Sequence, residues 1–90
     1  MNHKRLLNAL AKVGATVTNP HADNTKAPRY FKATGKNGEV VCWYVQKKWD
    51  NPEELEATSV HTPSPHTDIM TDCFCDTYYH TIKGAVGALT

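Results

Sequence analysis

The stretch RYFKATGKNGEVVCWYVQ, residues 29–46, leaves a short chain few folding options. Two runs rich in aromatic and β-branched residues, RYFKAT (29–34) and EVVCWYVQ (39–46), flank GKNG (35–38). Gly and Asn tolerate positive φ, so the pattern predicts a tight antiparallel hairpin. A two-residue turn at Lys36-Asn37 or at Asn37-Gly38 pairs odd positions of the first strand with even positions of the second. On that register Arg29, Phe31, Ala33, Val40, Cys42 and Tyr44 share one face, and Tyr30, Lys32, Thr34, Val41, Trp43 and Val45 share the other. Both faces are then unusually apolar for a sheet packed on one side. Either both are covered, or one is an interface.

The remaining chain supplies elements to pack on this hairpin. Leu6, Leu7, Leu10 and Val13 recur at helical spacing, which predicts an amphipathic helix over 3–13, with Asn2 as its cap and Gly14 as its stop. ATVT (15–18) begins a short strand, and the stretch 19–28 reads as a polar loop between two prolines. KKWDNPEEL (47–55) is a polar corner, ATSVHT (57–62) a third strand, 63–68 a Pro-rich turn and DIMT (68–71) a short fourth strand. Tyr78, Tyr79, Ile82, Val86 and Leu89 fall on a helical stripe, with Asp76 or Thr77 as the cap. Gly84 and Gly87 let that helix lie close to the sheet.

The order helix, three or four strands, helix predicts a single α+β domain over 1–90, with both helices packed on a small antiparallel sheet. Double-stranded-RNA-binding domains share this element order. The basic start that such domains carry before their final helix is missing here, because DCFCDTYY is acidic.

Net charge is +1, yet residues 1–48 carry nine Lys and Arg against Asp23 and Glu39, while residues 49–90 carry Lys83 against seven acids. The halves form opposite faces or interleave and neutralise each other. No apolar run reaches 18 residues, so neither a secretory leader nor a membrane span is expected. Three cysteines are an odd and sparse set for a disulfide framework, which points to the cytoplasm.

DCFCDTYYH (72–80) invites a metal reading, with Cys73, Cys75, His80 and His66 or His61 around a structural zinc. One residue between the cysteines departs from the usual spacing of two to four, and an extended backbone would send their side chains to opposite faces. The expectation is therefore structural cysteines and no cofactor, with zinc the minority alternative. Ser59 and Ser64 stand near His61 and His66, but nearness in sequence assembles no catalytic triad, and no phosphate-cradling glycine loop is present. The expectation is not an enzyme.

What remains is binding. Arg29, Tyr30, Lys32, Trp43, Tyr44, Lys47, Lys48 and Trp49 gather the residue types that dominate protein interfaces. The same set, with its lysines and aromatic rings, also suits nucleic acid through the basic half of the chain. A protein partner is favoured because overall charge is near neutral, and a pairing edge strand allows a homodimer. Such a chain would suit an accessory or regulatory factor, for instance one from a virus or mobile element.

Overall fold

A computed structural model of the protein describes residues 1–19, 29–51, 53–63 and 75–90. It contains helix α1 (His3–Lys12), strands β1 (Thr16–Thr18), β2 (Tyr30–Thr34), β3 (Val40–Lys47), β4 (Leu55–Pro63) and β5 (Cys75–Tyr78), and helix α2 (Ile82–Gly87). The strands form one antiparallel sheet in the order β1-β2-β3-β4-β5. The α+β architecture expected from the sequence is present, with five strands between its two helices. The expected strand at 68–71, all but the first residue of the loop expected at 19–28 and most of the Pro-rich turn lie outside the described residues. Among the described residues no helix is long and apolar enough to cross a membrane.

Helix α1 forms as its sequence pattern demands. The Asn2 side chain accepts the Arg5 amide at 2.9 Å, and Gly14, at φ +75°, follows the last turn. Leu6 and Leu10 turn inward and lose all solvent contact. They meet Ala33, Val41, Trp43, Val45, Ala57 and Val60 from the sheet, with Ala85 and Leu89 from the second helix, in one core.

The core side of the sheet differs from the register expected above. Thr34 pairs with Val40, Ala33 with Val41, Phe31 with Trp43 and Tyr30 with Tyr44. The turn has three loop residues instead of two: the Gly38 amide donates to the Gly35 carbonyl, and the Gly35 amide to the Glu39 carbonyl. Gly38 sits at φ +85°, the left-handed position of a type I turn closed by a glycine bulge. The extra residue changes the parity of the pairing. Phe31, Ala33, Val41, Trp43 and Val45 therefore share the helix side, and Tyr30, Lys32, Thr34, Val40, Cys42 and Tyr44 share the opposite side.

A second irregularity lies in β4. Tyr44 pairs with Thr58, but Cys42 pairs with His61, so Ser59 and Val60 together oppose Trp43. Ser59 adopts φ +54°, and the bulge turns both Ala57 and Val60 into the core.

The C-terminal helix also starts later than its stripe suggests. Residues 75–78 pair with β4, and the Tyr79 amide donates to the Val60 carbonyl, so both tyrosines belong to extended chain. Thr-Tyr-Tyr favours a strand, and two glycines weaken a helix that would have to begin at residue 77. Thr81 supplies the cap, its hydroxyl accepting the Gly84 amide at 3.0 Å.

Candidate interaction site

The loop joining β3 to β4 presents the most exposed aromatic side chain among the described residues. Trp49 is 94% exposed, whereas Trp43, six residues earlier, is fully buried. The loop beneath it is braced. The Lys48 amide donates to the Glu54 carbonyl and the Glu54 amide to the Asn51 carbonyl. Lys48 Nζ lies 3.6 Å from Glu54 Oε2, and Asn2 Nδ2 donates to Glu54 Oε1 at 2.8 Å. The Asn2 hydrogen bond, followed by the Lys48 charge, holds the Glu54 carboxyl below the usual carboxylate range. The Ala57 amide donates to the Met1 carbonyl at 2.7 Å, so the start of α1 is fastened to β4 just below the loop. Trp49 thus stands on a fixed base without being covered by it.

Beside Trp49 a shallow cavity of about 390 Å³ is lined by Gln46, Lys47, Lys48, Asp50 and Glu56. Gln46 and Glu56 are cross-strand partners, one pair beyond Tyr44 and Thr58 on the side of the sheet away from the helices. The cavity therefore continues the side that carries Tyr44 and Tyr78, which are 39% and 51% exposed.

Behind these two tyrosines the sheet is stiffened by a polar pair. Lys32, Cys42, His61 and Tyr78 form one cross-strand row, with Thr18 at its far end. Tyr30 and His61 are buried, and Tyr30 Oη lies 2.9 Å from His61 Nε2. His61 Nδ1 bonds the Ser59 carbonyl. A carbonyl only accepts, so His61 Nδ1 carries a proton and donates it in a hydrogen bond to Ser59; in the tautomer protonated there alone, Nε2 accepts the hydrogen bond of the Tyr30 hydroxyl. Tyr30 meets the Tyr44 ring edge-on at 4.5 Å, and His61 lies 5.9 Å from the Tyr78 ring. The bulge at Ser59 makes this possible by placing His61 on the same side as Tyr30.

The residues singled out from sequence separate into four places. Lys47, Lys48 and Trp49 come together at the β3–β4 loop, and Tyr30, Lys32 and Tyr44 share the side away from the helices. Arg29 is exposed at the entry to β2. Trp43 lies on the opposite side, its indole Nε1–H donating to His3 Nδ1 at 3.2 Å and its ring stacked at 6.0 Å from Phe31. The set is therefore not one continuous surface. Sequence reasoning missed Tyr78, Gln46, Glu56 and the Tyr30–His61 pair; recognising Gly38 as the third loop residue would have placed the first strand pair correctly.

Of the metal candidates, Cys73 and His66 lie outside the described residues, Cys75 belongs to β5 and His80 is exposed. Among the described residues no three His, Cys, Asp or Glu side chains gather as a metal site would require. No protein-family model, curated protein or solved structure matches the chain.

Proposed function

We propose that this is a small, non-catalytic binding protein that engages a protein partner through the β3–β4 loop and the adjoining aromatic side of the sheet. The observation that carries this reading is Trp49, a large apolar ring held almost wholly in water on a loop whose base is fixed by Lys48, Glu54 and Asn2. Full burial of a large apolar side chain contributes about 1.5–3 kcal/mol, a gain that Trp49 does not realise within its own chain. A rigid aromatic anchor loses little conformational entropy when a partner closes over it, which is why tryptophan is enriched among interface hot spots. Tyr44 and Tyr78 extend the apolar contact, and the Gln46–Glu56 pair supplies a polar rim. The buried Tyr30–His61 pair serves in this reading as a brace. The cytoplasm is the compartment we assign to it.

The test is recovery of partners from extract of the protein's own host with tagged wild type and Trp49→Ala, in low and high salt. The expected result is a partner retained by wild type in high salt and bound at least about 30-fold more weakly by Trp49→Ala, the loss of roughly 2 kcal/mol that defines a hot spot. An identical set of partners for both proteins overturns the reading.

A further inference from the structure

The charge asymmetry of the sequence acquires a direction in the fold. On α1 the buried residues His3, Leu6 and Leu10 define the inward stripe, and Lys4, Arg5, Asn8 and Lys12 occupy the outward one, all exposed. Helix α2 adds an exposed Lys83. Neither helix contains an acidic residue. At the far end of α1 the Lys36 side chain folds over Gly14 and adds a fifth cation. The described acids sit elsewhere. Asp50, Glu53, Glu54 and Glu56 belong to the β3–β4 loop and its base, Glu39 to the β2–β3 loop and Asp76 to β5. Only Glu53 and Glu54 reach the edge of this face, beside Lys4, and Glu54 is already paired with Lys48.

We infer that the outward face of the helix layer is a second interaction surface, and that its ligand is the phosphate backbone of double-stranded nucleic acid. The inference goes beyond the proposed protein-binding role and uses different residues. Three features choose the ligand. Among the described residues the face is cationic, with acids at its Lys4 edge alone, as a sequence-independent phosphate contact requires. Among the described residues the exposed aromatic side chains, Tyr44, Trp49 and Tyr78, all lie on the sheet and its loops and none on a helix, while Leu55 joins Leu7 in lining the cavity beside Lys4. The described part of the face therefore lacks the stacking platforms that single strands use, and its apolar contact is confined to Leu7 and Leu55 at the Lys4 edge, less than the aromatic anchors that protein partners and lipid surfaces use. Lys4 and Lys12 are eight residues apart, about 12 Å along the helix. That length matches three to four phosphates of one duplex strand at about 3.4 Å each.

The experiment is fluorescence anisotropy with labelled short duplexes of RNA and DNA, the matching single strands, and polyglutamate as a competitor. Wild type is compared with the triple variant Lys4→Gln, Arg5→Gln, Lys12→Gln and with Trp49→Ala. Glutamine keeps helix propensity, and circular dichroism with a thermal melt establishes that each variant is folded. The expected result is duplex binding that weakens about 50-fold between about 50 and 200 mM salt, the slope for roughly three phosphate contacts. The triple variant should lose at least tenfold in affinity and most of that slope, while Trp49→Ala binds duplex as wild type does. No duplex binding at low salt, an unchanged triple variant, or single strands and polyglutamate binding as tightly as duplex would each overturn the inference. Retained duplex binding by Trp49→Ala with loss of the protein partner separates the two surfaces.

Discussion

Acidification should loosen the seam between α1 and the sheet, because His3 is placed to work only as a neutral ring. Its Nδ1 accepts the indole N–H of Trp43 at 3.2 Å, the ring lies 4.9 Å from Phe31, and only 6% of the residue is exposed. Burial lowers its pKa from the ordinary 6.5. The unfolded chain therefore takes up the His3 proton first as pH falls. The stability supplied by neutral His3 is full above about pH 6.5, declines below it, and is lost once pH passes the lowered folded value. A protonated ring would turn an N–H toward the indole N–H, leaving buried donors without acceptors. The cost of such a conflict is about 1–3 kcal/mol. For a domain of this size each kcal/mol moves the melting temperature by about 4–8 °C, so the full effect is roughly 5–20 °C. The assay is thermal unfolding from about pH 7.5 to about pH 5, followed by tryptophan fluorescence in a Trp49→Phe background that leaves Trp43 as the sole reporter. The chain has five histidines, so the decisive quantity is the difference from His3→Gln, which offers an acceptor and does not titrate. Equal loss of stability in both proteins across this range would refute the argument.

Two further perturbations probe the opposite side of the sheet and its turn. Tyr30→Phe strands the buried Nε2 of His61 and should lower stability by about 1–3 kcal/mol in chemical denaturation, well beyond the effect of a single exposed hydroxyl. Gly38→Val should cost more than about 1–2 kcal/mol at φ +85°, whereas Gly38→Asn should cost less because asparagine tolerates the left-handed region; equal melting temperatures would refute the glycine-bulge assignment.

Much of this architecture was legible in the residues, and the failures have identifiable physical causes. The apolar spacing of Leu6 and Leu10 and the cap at Asn2 were enough for α1, because a helix reports its buried side through a period that no neighbour alters. The hairpin was legible from composition, but its faces were not. Face assignment turns on whether the loop holds two residues or three, and GKNG accommodates either. Tyr78 and Tyr79 fit a helical stripe and a strand equally well over so short a window, and only pairing with β4 decides between them. The exposure of Trp49 and the burial of Trp43 depend on tertiary placement that neither residue's neighbours encode. For the candidate binding residues the chemistry was readable, while their division among separate surfaces required the register.

The bulge at Ser59 carries a consequence for how this chain tolerates change in length. Upstream of it β4 aligns with β3 by one count, and downstream by another. A one-residue deletion there would not merely shorten the strand. Loss of Ser59 would restore a one-to-one ladder in which Val60 opposes Trp43 and His61 opposes Cys42, each on the side it already holds, whereas straightening the strand with Ser59 retained would send His61 toward the leucines of α1 and Val60 out beside Cys42. Substitution and length change are therefore governed by different tolerances along the same strand, and Ser59 is the position where one residue can be lost without exchanging the protein's inside and outside.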